Sequence, residues 1–263
     1  MTSLPTSPDL ADVVAALRAA GCVYADDEAR LLVGAARSPA ELDDMLGQRV
    51  AGLPLEPILG WAEFCGLRIV VEPGVFVPRR RTELLVRQAA ALARPGDVVV
   101  DLCCGSGAVG VALADAVPRL DLYATDIDPV AVRCARRNVV PAGGHVFEGD
   151  LFDALPAAVR GRVDLMVANA PYVPTDSIAM MPPEARLHEP RRTLDGGADG
   201  LDLQRRAVDQ ASAWLTPGGH LLIETSSRQV PGTVELFTRG GFTARVARSP
   251  ELDATVVVGS WRP

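Results

Sequence analysis

An amide, a small residue, a proline and an aromatic residue follow one another in the stretch Asn169-Ala170-Pro171-Tyr172. The apolar run before it, residues 163–168, predicts a buried strand that ends in a rigid loop. Because proline restricts the preceding residue to extended conformations, the Ala170 carbonyl and the Asn169 side chain are held in fixed directions. Two acceptors beside a flat ring suit a planar group that carries an NH2, such as a carboxamide or the exocyclic amine of a base. Taken alone, the tetrapeptide is more typical of a proline-containing turn after a core strand.

A second set of residues that could bind a ligand follows another apolar run, residues 98–102, and precedes a stretch with helical spacing. It consists of Asp101, Cys103, Gly105 and Gly107, with Cys103 at the place where the dinucleotide-binding pattern has its first glycine. Glycines there let the backbone approach a ligand closely, and the amino end of a helix offers unpaired N–H groups to a carboxylate or phosphate. The run predicts a ligand-binding turn, although the incomplete glycine pattern makes it a weak signal by itself.

The next predicted strand, residues 120–126, ends in Asp126, where a carboxylate can accept hydrogen bonds from both hydroxyls of a ribose. Asp128 competes for that role, but its place directly before Pro129 favours a helix N-cap.

Asp150 follows the third predicted strand, residues 146–148, and precedes Leu151 and Phe152. This arrangement suits an adenine ring, because the carboxylate can bond the amide-like edge of the ring while the apolar side chains contact its flat face. Each of these acids is equally compatible with a cap or a core role. Their order at successive strand ends joins them, because ligands of open α/β sheets bind along that edge.

The elements that position these residues alternate between strand and helix after Gly96, which is typical of an open, mostly parallel sheet. The predicted strands are residues 98–102, 120–126, 146–148, 163–168, 220–224, 241–247 and 255–261, of which the last two form an antiparallel pair. One predicted helix, residues 82–93, precedes the first of these strands, and the predicted helices between the strands are residues 108–116, 129–139, 201–214 and 230–239. The fold class is therefore α/β with an open seven-stranded sheet. The long loop of residues 171–197 exceeds an ordinary connector, so we expect it to serve function.

Residues 8–52 show helical spacing without a strand signal, and Ser38-Pro39-Ala40-Glu41 is typical of a helix start. A β-like stretch follows from Trp61, with Pro73-Gly74 as turn and residues 75–77 as a further strand. This pattern predicts a small N-terminal helical domain and a β-hairpin that links it to the sheet.

Composition restricts the function classes. The 263 residues are 48% hydrophobic and 22% charged, which is typical of a globular protein with a substantial core. A formal charge of −7 argues against broad adhesion to nucleic acid, although Arg79-Arg80-Arg81 is a local basic run. Five cysteines without Cys-x-x-Cys spacing indicate neither a disulfide framework nor a zinc site, and the scattered histidines indicate no metal. Without a leader or a long apolar run, we expect a cytoplasmic protein in a reducing compartment.

The strand-end residues with Asn169-Ala170-Pro171-Tyr172 resemble class I S-adenosylmethionine-dependent methyltransferases that methylate planar amino groups. More narrowly, the chain is similar to the HemK/PrmC family of protein-(glutamine-N5) methyltransferases, which modify the Gly-Gly-Gln loop of peptide chain release factors. The narrower resemblance rests on residues 56–60, 63–67, 76–79, 82–85, 189–190 and 196–201. The chain departs from the family where Ala170 replaces a proline, where Arg80-Arg81 replaces a proline and an acid, and in its shorter N-terminal domain.

The resemblance implies a Rossmann-like methyltransferase sheet, S-adenosylmethionine as cofactor and S-adenosylhomocysteine as product. It implies that the catalytic and substrate-binding residues are Asn169, Ala170, Pro171 and Tyr172. It implies that the cofactor-binding residues are Asp101, Cys103, Gly105, Gly107, Asp126, Asp150, Leu151 and Asn169. Residues 1–57 would form the substrate-recognition domain, residues 58–78 the linker with the hairpin, and residues 79–263 the methyltransferase domain. The expected partner is a release factor, with a monomeric enzyme, no stable nucleic-acid binding and no membrane.

Three other functions fit parts of the pattern. An adenine-N6 methyltransferase acting on DNA or RNA needs the same two acceptors beside a flat ring, because adenine also carries an NH2 group on a planar ring. Salt-dependent binding to nucleic acid would favour this function. A non-catalytic cofactor-binding protein would keep the cofactor positions without turnover. A small-molecule N-methyltransferase fits the altered loops.

Overall fold

The computed structural model describes residues 9–181, 186 and 188–262 of the 263-residue chain. The strands are β1 (Trp61–Phe64), β2 (Leu67–Val70), β3 (Val98–Leu102), β4 (Asp121–Asp126), β5 (His145–Glu148), β6 (Val163–Ala168), β7 (Leu215–Glu224), β8 (Phe242–Ser249) and β9 (Ala254–Trp261). The helices are α1 (Leu10–Ala19), α2 (Ala25–Ala35), α3 (Pro39–Val50), α4 (Leu55–Leu59), α5 (Glu83–Ala90), α6 (Ala108–Ala116), α7 (Pro129–Val139), α8 (Asp202–Ala211) and α9 (Val230–Arg239).

Seven strands form one sheet in the order β5-β4-β3-β6-β7-β9-β8. Strands β5, β4, β3, β6 and β7 run parallel to one another, whereas β9 pairs antiparallel with both β7 and β8. The predicted open, mostly parallel α/β sheet with a final antiparallel pair is therefore confirmed. Since the chain leaves β3 toward β4 and later returns to its other side as β6, the order reverses at β3, where ligands of such sheets bind.

Helices cover both faces of this sheet, which explains why its central strands are continuous apolar runs. All five residues of β3 are buried. Val99 packs on one face with apolar residues of α5, α6 and α7, such as Leu85 and Leu113. Val100 and Leu102 pack on the other face with residues of α8 and α9. The alternation of side chains along each strand thus fixes its register and brings the carboxyl ends of the parallel strands to one edge.

The first four helices have their own apolar cluster, with Val13, Leu17, Ala29 and Leu32 completely buried within it. The predicted helix start at Ser38 is confirmed, because its hydroxyl accepts a hydrogen bond from the Glu41 N–H. Residues 1–8 of the predicted helical domain lie outside the described residues.

The predicted β-hairpin is present, but its turn lies earlier than expected. Strands β1 and β2 pair antiparallel around Cys65 and Gly66, which adopt positive φ angles of 53° and 77°. Pro73-Gly74 does form a turn, yet it joins no strands, and the prediction that residues 75–77 form a strand was wrong. Val75 and Val77 are nevertheless buried, and Val77 belongs to a small apolar cluster with residues from the hairpin region.

Two further boundaries differ from the sequence prediction. The strand predicted at residues 220–224 begins earlier, at Leu215, so residues 217–219 lie inside β7. The pairing of β6 with β7 shifts its register between Val163 and Leu165. Pro217 and its two glycines therefore occupy an irregularity, where a proline is tolerated within a strand. The helix predicted from residue 82 begins as a 3-10 turn at Arg80–Thr82 and continues as α5.

Candidate active site

A pocket of about 500 Å³ opens at the carboxyl edge of the parallel strands. Its walls come from the ends of β3, β4, β6 and β7, from the residues after β5, from the segment before α5, and from the long loop after β6. Among the predicted site residues, the pocket is lined by Asp101, Cys103, Gly105, Asp126, Asp150, Leu151, Asn169, Ala170, Pro171 and Tyr172. The strand-end residues that lie far apart in the chain thus share one cavity, whose volume suits a small molecule.

Asn169 directly follows β6, lines this pocket and is half-buried. Its side-chain NH2 donates a hydrogen bond to the Thr82 hydroxyl at 3.1 Å. Because this contact uses the nitrogen of the amide, the carbonyl oxygen of the same side chain is left to accept from a ligand. The following residue, Ala170, is 2% exposed and also lines the cavity.

The loop after Pro171 is held in place from α9. The Gln229 side-chain NH2 donates to the Tyr172 carbonyl at 2.8 Å and to the Asp199 carbonyl at 3.0 Å. Burial raises the pKa of the Tyr172 hydroxyl to about 12, and the nearby charge of Glu224 adds to the shift. Tyr172 is therefore a neutral, anchored wall of the pocket in the physiological range.

Asp126 connects the end of β4 to the turn after β3. Its Oδ2 accepts from the Gly105 N–H at 2.8 Å, and its Oδ1 accepts from the Asp128 N–H at 2.9 Å. Burial raises the pKa of this carboxyl, while the two backbone donors act in the opposite direction. Each carboxylate oxygen keeps acceptor capacity beyond its one backbone donor, so the group can still receive a pair of ligand hydroxyls.

Asp128 is the N-cap of α7, as the sequence predicted, since its Oδ1 accepts from the Val130 N–H at 3.0 Å. Its other carboxylate oxygen, Oδ2, forms an ion pair with Arg192 of the long loop at 3.1 Å. The adjoining part of that loop is joined to the segment before α5 by an ion pair between Arg79 and the buried Glu189. Two charge pairs therefore tie the long loop across the pocket.

Asp101 and Gly107 support the turn more than they face a ligand. Asp101 is 1% exposed, and its Oδ2 accepts from the Gly110 N–H at 2.9 Å. Burial raises the pKa of the Asp101 carboxyl to about 7. Gly107 does not line the pocket; it begins α6 with a φ of 77°, and a Cβ there would lie 2.5 Å from Val139 Cγ2. Position 107 therefore requires glycine, both for its left-handed backbone and because a side chain has no room there.

Cys103 and Leu151 both line the pocket with left-handed backbones, at φ values of 54° and 49°. Burial raises the pKa of the Cys103 thiol well above its usual range, so this group is a neutral wall and not a nucleophile. Asp150 holds Arg206 in an ion pair at 2.7 Å. The predicted adenine contact of Phe152 was wrong, because Phe152 is completely buried and stacks on Trp214 at a centroid distance of 5.8 Å, outside the pocket lining.

Sequence reasoning missed Thr82 and Glu224, two buried polar residues of the pocket wall. Glu224 ends β7, directly beside β6, so the strand-end rule that selected Asp126 would also have selected it. Thr82 belongs to residues 82–85, which carry part of the family resemblance, but nothing in the sequence places it in the pocket, because it starts a helix far from β6 in the chain. Burial raises the pKa of the Glu224 carboxyl to about 6, and its Oε2 has no hydrogen-bond partner.

Two other kinds of feature are absent from the described ranges. No group of three or more His, Cys, Asp or Glu side chains in those ranges is arranged to hold a metal ion. No helix within them is long and apolar enough to cross a membrane.

Comparison with known proteins finds relatives of this chain in sequence and in fold. Residues 66–236 match the family described as "Methyltransferase small domain". The chain is 41% identical over 200 residues to the release factor glutamine methyltransferase of Geobacter sulfurreducens, covering 75% of this chain and 69% of that protein. It is 38% identical over 210 residues to 4-amino-L-phenylalanine/4-methylamino-L-phenylalanine methyltransferase of Streptomyces pristinaespiralis, covering 77% and 71%. A methyltransferase from Pyrococcus furiosus shares the fold, with a TM-score of 0.58 and 16% identity over 75% of this chain and 90% of that chain.

Proposed function

We propose, since the chain belongs to the family of release factor glutamine methyltransferases, that it methylates the side-chain amide nitrogen of a glutamine in a peptide chain release factor. The methyl donor is S-adenosylmethionine, and S-adenosylhomocysteine is the product. The resemblance noted in the sequence places the accepting glutamine in the Gly-Gly-Gln loop of the factor. The activity is thus protein-(glutamine-N5) methyl transfer.

The orientation of Asn169 is the observation that carries this proposal. Its NH2 is engaged with the Thr82 hydroxyl, so its carbonyl oxygen is the part of the side chain left for a substrate N–H. A primary carboxamide has two N–H groups to donate, and the Ala170 carbonyl is the second acceptor that we assign to it. Tyr172 and Pro171 form the flat wall against which the planar amide lies.

An amide nitrogen is a poor nucleophile because its lone pair is delocalised, as the rotation barrier of about 18–20 kcal/mol in peptide bonds shows. Methyl transfer forms the N–C bond as the S–C bond of the sulfonium breaks, and the nitrogen then loses one N–H proton to water. Two acceptors on its N–H groups place negative partial charge where positive charge grows on the nitrogen during this step. This stabilises the transition state more than the ground state. The same contacts aim the nitrogen at the methyl carbon, which lowers the entropic part of the barrier.

The residues of the pocket fit the proposed cofactor. S-adenosylmethionine supplies, when bound, a methyl group on a positively charged sulfur. We assign the ribose hydroxyls to Asp126, whose oxygens both keep acceptor capacity. We assign the adenine to the wall of Asp150 and Leu151, and the amino-acid end of the cofactor to the turn of Asp101, Cys103 and Gly105. Gly107 supports that turn through its backbone.

The division of labour along the chain follows the same logic. We assign cofactor and catalysis to residues 79–263, the linker to residues 58–78, and partner recognition to residues 1–57, since no pocket residue except Pro54 belongs to the last of these segments in its described part. The enzyme is proposed to act as a cytoplasmic monomer on a protein partner, without stable binding to nucleic acid.

A methylation assay with labelled cofactor tests the function. Purified enzyme is incubated with a release factor, with the same factor carrying Gln→Glu in its Gly-Gly-Gln loop, and with a nucleic-acid duplex. We expect label on the wild-type factor alone, and mass spectrometry should locate the added methyl group on that glutamine. Label on the nucleic acid, or equal label on both protein factors, would overturn the proposal.

The relative that acts on 4-amino-L-phenylalanine defines a second candidate, because an aromatic amine also presents an NH2 on a plane. The same assay therefore includes free 4-amino-L-phenylalanine. Turnover of this small molecule with kcat/KM above that for the release factor would assign the enzyme to a free amine.

A further inference from the structure

The acceptor loop, Ala170-Pro171-Tyr172, is restricted by its own sequence at one end only. Pro171 has a locked φ angle and limits the conformations of Ala170 before it. Its ring places no such limit on Tyr172, so the direction of the Tyr172 carbonyl depends on contacts with other parts of the chain. Because the proposed reaction needs acceptors in fixed directions, the loop requires a second anchor.

Gln229 supplies this anchor from outside the pocket lining, half-buried directly before α9. Its side-chain nitrogen, Nε2, donates to the Tyr172 carbonyl at 2.8 Å and to the Asp199 carbonyl at 3.0 Å. Its side-chain oxygen, Oε1, accepts from the Ser226 hydroxyl at 2.6 Å. The side chain therefore joins the loop after β6 to the turn before α8 and to the segment after β7.

The orientation of the Gln229 amide follows from its three partners. A carbonyl oxygen can only accept a hydrogen bond, so the NH2 group must face Tyr172 and Asp199, and both of its protons are used there. If the amide were reversed, its oxygen would face two other carbonyl oxygens. The Ser226 hydroxyl donates to Oε1 and thus stabilises the orientation that attracts the loop.

Two glycines let the turn before α8 lie directly against the acceptor loop. Gly200 has a φ of 76°, and a Cβ there would overlap Gln229 Nε2 and the Tyr172 carbonyl oxygen. A Cβ at Gly196 would lie 2.8 Å from the Pro171 carbonyl oxygen. Both glycines belong to residues 196–201, one of the stretches that carry the family resemblance. Close approach of the two backbones therefore requires glycine at both positions.

Backbone hydrogen bonds continue this attachment beyond Tyr172. The Val173 N–H donates to the Leu194 carbonyl at 2.9 Å, and the Gly196 N–H donates to the Val173 carbonyl at 2.9 Å. Asp195 Oδ1 accepts from the Gly197 N–H at 3.1 Å, so the turn is also held by its own side chain. The acceptor loop thus rests on a braced surface, to which Gln229 attaches it at Tyr172.

We propose that Gln229 is a positioning residue, which acts through the Tyr172 carbonyl to keep the acceptor loop aligned with the reacting nitrogen. The inference rests on the proposed function and deepens it, because it names a residue outside the pocket on which the rate depends. A displacement of about 1 Å at a reacting centre can cost about 100-fold in rate. Since Gln229 does not line the pocket, its loss should affect kcat and not the cofactor Kd.

Three variants test this role by turnover on a release factor. Gln229→Leu removes both donors at similar size, and we expect kcat to fall about 10- to 100-fold while the cofactor Kd changes less than about threefold. Ser226→Ala is the milder second variant, and it should lower kcat about 2- to 10-fold because the Gln229 amide loses its orienting donor. In the double variant, Ser226→Ala should add no further loss, since it acts through Gln229.

Gln88→Leu is the matched control. Gln88 is also half-buried and outside the pocket lining, and its side-chain oxygen accepts from Arg245 at 2.9 Å. This variant should keep the wild-type kcat. All variants are assayed well below their Tm, so a general loss of stability does not contribute. A kcat loss of the same size in both leucine variants would assign Gln229 a purely structural role and overturn the proposal.

Amide hydrogen exchange measures the attachment of the loop without a methyl acceptor. The Val173 and Gly196 N–H groups should exchange about tenfold faster or more in Gln229→Leu, and at the wild-type rate in Gln88→Leu. Unchanged exchange or unchanged kcat in Gln229→Leu, or an additive loss of kcat in the double variant, would overturn the proposal. If the wild type methylates no release factor, the proposed function fails, and the exchange rates alone then decide whether Gln229 holds the loop.

Discussion

The Oδ2 atom of Asp126 accepts a hydrogen bond from the Gly105 N–H at 2.8 Å, so the end of β4 and the turn after β3 form one unit. Parallel pairing of β3 with β4 brings the two segments together. The carboxylate therefore has two roles in the proposed site, since it shapes the turn and faces the pocket.

Asp126→Ala is expected to weaken S-adenosylmethionine binding about 10- to 100-fold, because a charge-assisted hydrogen bond is worth about 1.5–3 kcal/mol. The loss of the Gly105 and Asp128 contacts should also lower the Tm by a few degrees without unfolding the protein. Calorimetric titration measures the affinity. The control is Asp121→Ala, at the opposite end of the same strand, which should bind normally. Unchanged affinity in folded Asp126→Ala would remove Asp126 from the site.

Asp101→Asn is expected to stabilise the protein at alkaline pH. Burial raises the pKa of Asp101 in the folded state to about 7, so its contribution to stability is present at low pH and lost as the pH rises through that value. Asparagine carries no charge and can still accept from the Gly110 N–H. Since a tenfold change in proton affinity corresponds to about 1.4 kcal/mol, the free energy of unfolding should exceed that of the wild type by a few kcal/mol at pH 8. Denaturant titrations at pH 8 and pH 4.5 check this, and an equal difference at both values would contradict it.

Gly107→Ala is expected to destabilise the protein by about 2–5 kcal/mol. A left-handed backbone costs a non-glycine residue about 1–2 kcal/mol, and overpacking against Val139 adds about 1–3 kcal/mol. Gly143 is the matched control, since its φ is 85° but a Cβ there meets nothing within 4 Å. Gly143→Ala should show only the backbone cost. If the two alanine variants unfold at the same denaturant concentration, the packing at Gly107 is not limiting.

Where a strong apolar pattern has clear boundaries, the sequence predicted the first and last residues of the central elements correctly. Strand β3 and helix α7 are examples, the latter with Asp128 as N-cap and Pro129 at its first position. Sequence pattern failed at Pro217, because a proline within a strand is tolerated only at a pairing irregularity, and pairing depends on a distant strand. It also could not place Thr82 beside Asn169, since that contact joins residues 87 positions apart through tertiary packing alone.

Val23→Ser combined with Tyr24→Ser is expected to weaken recognition of the protein substrate. These neighbouring apolar residues between α1 and α2 are 85% and 71% exposed, and exposed apolar groups commonly mark partner surfaces. Loss of one or two such anchors should raise KM for the release factor about tenfold or more, while the cofactor Kd is unchanged. Steady-state methylation measures the KM, and calorimetric titration measures the Kd. Val140→Ser, at a site 55% exposed on the sheet domain, is the control and should leave KM unaltered. An unchanged KM in the double variant would place partner recognition elsewhere.

Substitutions at Asn169 separate positioning from charge. Asn169→Ala deletes one acceptor for the reacting amide, and by analogy with a lost preorganised contact the rate should fall about 100- to 1,000-fold. Asn169→Asp keeps an acceptor but cannot donate to Thr82, and its charge attracts the sulfonium group most strongly in the ground state. Tighter ground-state binding without matching transition-state binding does not speed the chemical step. We therefore expect Asn169→Asp to keep or improve cofactor affinity and still lose most of its turnover. Single-turnover methylation of a release factor, with the modified glutamine located by mass spectrometry, measures this directly; near wild-type rates in both variants would show that Asn169 does not hold the reacting nitrogen.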